Sequence, residues 1–487
     1  MSRMAIAGPS KLVTDAGTRI AEVGGSVVDV AIAAALVAMC TEPGICSPGG
    51  GGFLTIDIPG SESAVIDGYM AYPGRGFSGE KVVEEVSMAY GGGVTTLIGP
   101  GTIAVPGAFA GFGAAHELHG NAPWSEIMEV AAATVDGGFP LSQAAYNYLI
   151  HAGRPIFSND EVSRAAVFDG DRLKHAGEPV EFDGLASTLR YIGQEGAAVL
   201  YQGDLGQSIV SDLAARGSDL TRQDLAEYKP IVRRPLAMNA HGWQLDINPP
   251  PAVGGVALAL ALSDMAETDD PGPGDLACAL TEAFETRARQ LQPGPGFEDG
   301  VVKALIRSGL RSPSTISIAA ADEDGGGVAA SFSAGYGSGV APGGTGLMMN
   351  NAVGEIELTG SSSGTPGERM MSNMAPMVGR NGADMVALGS PGADRITSAL
   401  VATVSSLARG MHLSEAIEHP RVHPEFGEWG VRIAIEPGID SETIPYPLRP
   451  FDELHMYFGG VNGAALEDGH LHGHADSRRH GSAVTTP

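Results

Sequence analysis

One stretch of the 487-residue chain, residues 314–333, constrains the fold more than any other. It holds two apolar, β-prone runs, residues 314–322 and residues 327–333, on either side of the acidic turn Glu323-Asp324-Gly325. An Asp-Gly pair between such runs favours a tight reversal, so the pattern predicts a β-hairpin. Thr315 stands at the start of its first strand. A threonine there is either a core residue or a nucleophile activated by its own amino group, and the hairpin alone favours the core.

Composition limits the class of protein and its partners. Hydrophobic residues make up 43% of the sequence, which indicates a globular chain, and the length allows two or three domains. Asp and Glu number 57 against 29 Lys and Arg, a net charge of −28. Because such a surface repels phosphates and anionic lipids, we expect neither nucleic acid nor a membrane as partner.

Three cysteines, Cys40, Cys46 and Cys278, set no disulfide framework and favour a reducing compartment. The first residues contain no apolar signal-peptide core, and the apolar run at residues 30–40 is too short to span a bilayer. A cytoplasmic location is therefore expected. Cys46 is predicted to be buried rather than reactive.

The order of predicted elements indicates a layered α+β protein. Thr14-Asp15 is predicted to cap a helix that ends near Val23, and Asp29 to open a buried Ala-rich helix over residues 30–40. Helical patterns dominate to about residue 216, and short strands dominate after Thr315. This order does not suit alternating βαβ units.

Two local patterns could suggest a bound ligand. The glycine run 49–52 lacks the lysine of a phosphate loop and lies between a helix and a strand, so nucleotide binding is rejected. His470, His472, His474 and His480 alternate near the C-terminus, which is consistent with either a metal site or a solvated tail. Because no cysteine or carboxylate pattern accompanies them, the tail is favoured and no metal is expected.

Seven stretches, taken in order, resemble the gamma-glutamyltranspeptidase family of N-terminal-nucleophile hydrolases. They are residues 24–35, Glu42-Pro43 with the glycine run 49–52, Val105-Pro106-Gly107, Pro249-Pro250-Pro251 with Gly254-Gly255, Asn350-Asn351, Gly389-Ser390-Pro391-Gly392, and Asp476-Ser477-Arg478-Arg479-His480-Gly481. Each alone is a weak signal, but together they span nearly the whole chain. The resemblance implies a four-layer αββα sandwich and no cofactor.

The resemblance also implies a precursor that cuts itself between Ser314 and Thr315. Residues 1–314 and 315–487 would then form a heterodimer within one intertwined domain, with a dimer of such heterodimers left open. The freed α-amine, which titrates at about 7.7–8.0 when unperturbed, can take the proton of the Thr315 hydroxyl. Ser333 matches the hydroxyl residue that holds the nucleophile, and Gly392 and Ala393 match the oxyanion hole.

The positions that recognise a γ-glutamyl group in the family are altered. Tyr69 stands where the family has a carboxylate-binding arginine, and no arginine follows until Arg75. Glu355, with Glu357 as a competitor, matches the acid that binds the substrate amine, and Ser372-Asn373 match a serine pair. Three further positions differ from the family: Gly335 stands where the family has an asparagine, and Ile316-Ser317 stand where it has a Thr-His pair. The family's glutamate upstream of the Asn-Asn pair has no counterpart within residues 343–346.

Two hypotheses of function follow. The first is a self-cleaving threonine amidohydrolase or acyltransferase that acts on a small-molecule amide or γ-glutamyl-like substrate, with water or an amine as acceptor. Its acyl specificity is expected to differ from that of a glutathione hydrolase, its nearest variant. The second, kept open by the loss of the Thr-His pair, is an uncleaved, inactive homologue that serves as a binding or scaffold protein.

Overall fold

The computed structural model describes residues 2–89, 93–266, 268, 270–290, 315–355 and 364–487. Ser314 and Glu357, which the sequence analysis named, lie outside the described residues. Within the described residues, no helix combines the length and the apolar character that crossing a bilayer needs.

The strands are short, and the longest have seven residues. They are β1 (Met4–Gly8), β2 (Gly51–Asp57), β3 (Ala64–Gly68), β4 (Glu84–Met88), β5 (Val94–Ile98), β6 (Phe139–Pro140), β7 (Phe168–Asp169), β8 (Arg172–Leu173), β9 (Pro179–Val180), β10 (Ile231–Arg233), β11 (Leu236–Ala240), β12 (Trp243–Ile247), β13 (Ile316–Asp322), β14 (Gly327–Ser333), β15 (Met377–Asn381), β16 (Asp384–Gly389), β17 (Val422–Gly427), β18 (Gly430–Ile435), β19 (Leu448–Pro450), β20 (Asn462–Glu467), β21 (His470–Ala475) and β22 (Ser482–Thr485).

The helices lie mainly in the first two thirds of the chain, as predicted. They are α1 (Lys11–Glu22), α2 (Val27–Thr41), α3 (Ala108–His119), α4 (Trp124–Val135), α5 (Gln143–Phe157), α6 (Glu161–Val167), α7 (Leu185–Glu195), α8 (Ala198–Tyr201), α9 (Asp204–Ala215), α10 (Arg222–Glu227), α11 (Val253–Asp264), α12 (Pro273–Gln290), α13 (Arg395–Ala408) and α14 (Leu413–Glu418).

Two β-sheets pack face to face at the centre of the molecule. The first has the strand order β10-β3-β2-β14-β13-β1-β22, and the second has the order β11-β12-β15-β16-β20-β21. Helices α1, α2 and α3 cover the outer face of the first sheet, and α11, α13 and α14 cover that of the second. This arrangement is the four-layer αββα sandwich, so the predicted α+β class is confirmed.

Both sheets draw strands from the two sides of residue 315. In the first sheet, β1 lies between β13 and β22, and β2 pairs with β14. In the second sheet, β12 pairs with β15. The chain before and after the predicted cut is therefore interleaved in the first sheet and joined along the β12–β15 pair in the second, while the cut itself stays a prediction.

The predicted hairpin is confirmed as the centre of the first sheet. Its register pairs Ile316 with Phe332 and Ala321 with Gly327. Alternate residues on each strand face opposite layers. Alanines such as Ala319 and Ala329 pack against the second sheet, where small side chains allow close approach, while residues such as Ile318 pack against the helices.

Helix α2 is buried at all fifteen of its positions, as predicted, but it begins earlier than expected. Ser26 is the N-cap: its hydroxyl accepts from the Asp29 backbone N–H at 3.2 Å, and the Asp29 carboxylate accepts from the Ser26 N–H at 2.9 Å. Asp29 is thus the third helical residue of a capping box. Helix α1 likewise begins at Lys11, before the predicted cap at Thr14.

The C-terminal histidines lie on a strand and not in a tail, although His470 and His472 are exposed to solvent as predicted. The histidines at 470, 472 and 474 lie on β21, which is the edge strand of the second sheet. His474 contacts the Glu418 carboxylate at 2.9 Å, and pairing with β20 gives the segment its order. Among the residues that the structure describes, no three His, Cys, Asp or Glu side chains are grouped so that they could hold a metal ion.

Candidate active site

Thr315 lies immediately before β13 and is 8% exposed. Continuing the β13–β14 register by one residue beyond the Ile316–Phe332 pair places Thr315 opposite Ser333, the last residue of β14. Both follow the alternation of Ala319 and Ala329, so they share the face that looks toward the second sheet. The predicted nucleophile and its predicted hydroxyl partner are therefore neighbours.

Tyr69 lies in the same cross-strand row of the first sheet as Thr315 and Ser333. Ser333 pairs with Gly51 on β2, and the β2–β3 register, in which Gly52 pairs with Gly68, places Gly51 opposite Tyr69. At a strand spacing of about 4.8 Å, the Tyr69 backbone is ~14 Å from that of Thr315. Gly51 leaves no side chain between Ser333 and Tyr69.

The loop formed by residues 390–393 lies at the Thr315 end of the hairpin. Strand β16 crosses over the hairpin: a Cβ added at Gly327 would lie 2.5 Å from Met385 Sδ, at the turn end. At the other end of β16, a Cβ added at Gly389 would lie 3.0 Å from Ser317 Cβ. The chain that leaves β16 therefore continues toward Thr315.

The backbone of this loop is unusual at both predicted oxyanion residues. Gly392 has φ +131°, and Ala393 has φ +53° in the left-handed region. That conformation costs a non-glycine residue about 1 kcal/mol or more, and such strain is commonly held at functional sites. Within the described part of the chain neither backbone N–H donates a hydrogen bond. Ala393 thus adopts a glycine-like conformation in spite of its side chain.

Tyr69 joins two of the other predicted substrate-binding residues in one buried group. Its ring stacks on Phe53 with centroids 5.2 Å apart, and its carbonyl accepts from the Tyr228 hydroxyl at 2.6 Å. Burial, followed by the nearby charge of Glu355, raises the pKa of Tyr69 well above its usual range, and a hydrogen bond with Ser372 opposes this shift. Tyr69, Ser372 and Glu355 are therefore near one another.

Glu355 is buried, at 5% exposure, and its position depends on the Asn350-Asn351 pair. The Asn350 side-chain amide donates to the carbonyls of Gly49 and Ala104, at 2.7 and 3.0 Å. Asn351 accepts from the Tyr336 N–H at 2.7 Å. These bonds fix the segment that carries Glu355.

Gly335 lies directly against the Glu355 carboxylate. A Cβ added at Gly335 would lie 2.9 Å from Glu355 Oε2, so the carboxylate lies close to the end of β14. Gly335 follows Ser333 by two residues, and its N–H donates to the Ser333 hydroxyl at 3.1 Å. The acid therefore lies near the end of β14 that carries Ser333, and also near Tyr69.

Asn373 directly follows Ser372 in the chain. Its Oδ1 is buried and accepts no hydrogen bond from the described residues. Ser372, in contrast, is fixed by the Val253 N–H on its carbonyl at 2.8 Å and by the Met374 N–H on its hydroxyl at 3.1 Å. Of the four predicted substrate residues, Tyr69, Glu355 and Ser372 are thus brought together.

Arg75, which follows Tyr69 in the sequence, and the two arginines that contact the nearby Asp67 have acidic partners. Arg75 contacts the Glu227 carboxylate at 2.6 Å and lies 3.6 Å from that of Asp224. Arg233 and Arg369 both pair with the buried Asp67, at 2.7 and 3.2 Å. None of these three guanidinium groups can bind a substrate carboxylate, in place of the arginine that Tyr69 replaces, without breaking an ion pair.

Some residues at the site were not predicted. Asn462, on β20, donates from its side-chain amide to the Ser317 hydroxyl at 2.9 Å, two residues after Thr315. No local pattern could indicate this contact, because 145 residues separate the two. The prediction that Cys46 is buried is confirmed, and burial raises its pKa and that of Cys40 far above the usual range, which keeps both thiols protonated.

The chain combines an αββα sandwich with a hydroxyl residue at the start of a central strand, and that residue faces the second sheet. These features define the class of N-terminal-nucleophile hydrolases. A family model described as gamma-glutamyltranspeptidase matches residues 13–292 and 279–486. The chain belongs to the gamma-glutamyltranspeptidase family, and it is accordingly an amide hydrolase or acyltransferase of that type.

Two curated relatives and one solved structure illustrate the similarity. Glutathione hydrolase 5 proenzyme of Rattus norvegicus is 30% identical, covering 87% of this chain and 82% of the relative. Acylase ACY 1 proenzyme of Pseudomonas sp. (strain V22) is 28% identical, over 97% and 92%. The crystal structure of cephalosporin acylase from Bacillus halodurans shares the fold, with a TM-score of 0.80 at 21% identity over 99% and 96% of the two chains.

Proposed function

We propose that this protein cuts itself before Thr315 and then hydrolyses or transfers an acyl group held as an ester on Thr315, with an acyl specificity other than γ-glutamyl. The observation that carries this proposal is the pairing of Thr315 with Ser333 on the face toward the second sheet, at the end where the 390–393 loop lies. A hydroxyl nucleophile, a hydroxyl partner and backbone N–H groups are the parts that acyl transfer requires.

Self-cleavage uses the Thr315 hydroxyl against the preceding peptide bond. The oxygen attacks the Ser314 carbonyl carbon, the C–N bond breaks, and an ester forms while the amine is released. Water then hydrolyses the ester, which leaves a carboxylate on Ser314 and a free α-amine on Thr315. That amine is the base of the mature enzyme, since its usual pKa lies near neutrality.

Turnover repeats the chemistry on an external amide. The α-amine takes the hydroxyl proton as the Thr315 oxygen attacks the substrate carbonyl, and it returns a proton to the departing amine. Ser333 orients the nucleophile, and the N–H groups of Gly392 and Ala393 bind the developing oxyanion. Water or an acceptor amine then attacks the ester and regenerates Thr315.

The proposed acyl specificity rests on the charges around Tyr69. Acidic side chains pair with all three arginines discussed above, Arg75, Arg233 and Arg369. Without an arginine that binds it through two hydrogen bonds, a buried substrate carboxylate loses about 1.5–3 kcal/mol of binding free energy. Glu355 is a buried acid near Tyr69. We infer that the preferred acyl group carries an ammonium group for Glu355 but no carboxylate in the position of the missing arginine.

Intact mass spectrometry and a denaturing gel test the cleavage. The wild type is expected as two fragments, one beginning at Thr315, whereas Thr315→Ala stays whole and inactive and Thr315→Ser cleaves more slowly. A wild-type chain that stays whole after long incubation would contradict the proposal and favour the inactive scaffold.

Paired anilides test the specificity of the cleaved protein. Hydrolysis of aminoacyl and simple acyl p-nitroanilides is expected to exceed that of γ-glutamyl p-nitroanilide. Efficient γ-glutamyl turnover would leave the nucleophile in place but overturn the inference from Tyr69. We also propose a cytoplasmic heterodimer of the two fragments, which cell fractionation and native mass spectrometry would check.

A further inference from the structure

A second loop, residues 456–460, packs against the 390–393 loop; we name it the supporting loop. The Gly460 N–H donates to the Ser390 hydroxyl at 3.2 Å. A Cβ added at Gly392 would lie 3.2 Å from Gly459 Cα, and one added at Gly459 would lie 3.2 Å from the Pro391 carbonyl oxygen. The two loops are thus in backbone contact, so a shift of one moves the other.

Two arginines hold the carbonyl groups of the supporting loop. Arg479 donates to the Gly459 carbonyl at 3.2 Å and to the Met456 carbonyl at 3.3 Å. Arg421 donates to the Phe458 carbonyl at 3.1 Å. Three of the loop's backbone oxygens therefore accept charge-assisted hydrogen bonds, which are stronger than neutral ones.

A buried ion cluster holds Arg421, and it includes Arg478, the residue next to Arg479 in the chain. Arg421 pairs with Asp476 at 2.6 Å, and Arg478 pairs with both Asp476 and Glu436, at 3.1 and 2.6 Å. The four side chains are at most 1% exposed. Because water does not reach these groups, their geometry is rigid, and Asp476 also accepts from the Val461 N–H at 2.9 Å, at the end of the supporting loop.

We infer that Arg479 and Arg421 are positioning residues for the oxyanion hole: through the supporting loop they hold the backbone N–H groups of Gly392 and Ala393 where the oxyanion forms. This inference rests on the proposed function. The strained conformation of Ala393 needs such external support, since nothing in its own side chain favours φ +53°. A displacement of about 1 Å at a reacting centre can cost two orders of magnitude in rate.

Arg479→Gln tests the inference, and Arg222→Gln is its matched control. Arg222 is also half-buried and donates to two carbonyls, those of Gly203 and Gln202 at 3.1 and 3.3 Å, but these carbonyls precede α9 and do not belong to the supporting loop. With active sites counted by covalent titration of the nucleophile, Arg479→Gln is expected to lower kcat about 10- to 100-fold, with KM within twofold. Arg222→Gln is expected to retain wild-type kcat.

A structural role alone would give a different result. If the inference holds, Arg479→Gln and Arg222→Gln lower Tm by a similar amount, although only Arg479→Gln loses kcat. Arg479→Lys should then recover part of kcat, because it restores one cationic donor. Equal kcat values for Arg479→Gln and Arg222→Gln, or an effect confined to KM, would overturn the inference. So would a failure of Arg479→Gln to self-cleave under conditions in which Arg222→Gln does, whereas an uncleaved wild type would instead defeat the proposed function.

Discussion

Ser317 on β13 and Asn462 on β20 are joined across the gap between the two sheets. The Asn462 side-chain amide donates to the Ser317 hydroxyl at 2.9 Å and to the Ser317 carbonyl at 2.8 Å, and both residues are buried. This contact fixes β13 two residues after Thr315. Hydrogen bonding across the sheets thus reaches the strand that carries the nucleophile.

Replacing Asn462 with alanine is expected to lower the free energy of unfolding by about 1–3 kcal/mol, because two buried acceptors on Ser317 lose their donor. Urea denaturation followed by circular dichroism measures the change. Asn239→Ala, on the exposed face of β11, is the control and should change stability by less than ~0.5 kcal/mol. Equal effects for the two variants would refute this account.

Gly335→Asn introduces the residue that the family has at this position, and it is expected to damage the site. Gly335 has φ +63°, and its added Cβ would lie 2.3 Å from Asn351 Oδ1, so overpacking should cost about 1–3 kcal/mol and displace Glu355. Gly344→Asn is the control, with φ +73° and nothing within 4 Å of the added Cβ. If Gly335→Asn and Gly344→Asn have equal stability by thermal unfolding, the contact with Asn351 has no energetic weight.

Glu355→Gln tests the recognition of an ammonium group by charge. Loss of a charged hydrogen bond is worth about 1.5–3 kcal/mol, so kcat/KM for an aminoacyl anilide should fall roughly 10- to 150-fold. Hydrolysis of the neutral acyl anilide of the same size should change by less than threefold. A loss of the same size on both substrates would show that Glu355 supports the fold of the site rather than binding the amine.

Glu42 should make stability depend on pH. Burial raises its pKa from 4.5 to about 7, and the Ser142 hydroxyl, which donates to its carboxylate, opposes this only in part. Between these two values the folded state retains a proton that the unfolded state has lost. Stability therefore falls as pH rises through this window, by about 3 kcal/mol in total.

Glu42→Gln is expected to remove that dependence. The difference in unfolding free energy between the variant and the wild type should grow in favour of the variant from pH 4.5 to pH 7 and then level off. Denaturant titrations at several pH values measure it, with the exposed Glu62→Gln as control. A difference that is constant across this range would mean that Glu42 ionises normally in the folded protein.

The hairpin and its place in the sheet could be predicted because their signals are local. Two apolar runs and an Asp-Gly turn determine the β13–β14 pairing, and the apolar character of α2 on every face determines its burial. The start of α2 was mispredicted, since Asp29 is a good cap by sequence. Ser26 takes that role through the local capping box with Asp29, whose carboxylate also accepts the N–H groups of Asn121 and Ala122 from a distant segment.

The site was predictable only through the resemblance to a family. Tyr69, Glu355 and Ser372 lie on segments up to about 300 residues apart, and no periodicity relates them. The engagement of Arg75 by Glu227 and Asp224 and the buried pairs of Arg421 and Arg478 depend on packing between elements. Sequence motifs indicated that these residues matter, whereas only the three-dimensional arrangement indicates which partner each charge has.

The interleaving of strands from the two sides of residue 315 has a consequence for the order of folding and cleavage. Residues 1–314 alone lack β13 and β14, so β1 and β2 would lose the neighbours that separate them, and residues 315–487 alone would leave both edges of that hairpin bare. Exposed, unpaired strands of this kind promote aggregation. Assembly from separately synthesised halves is thus disfavoured. We expect any scission to follow folding and to leave two polypeptides that cannot separate without breaking both sheets.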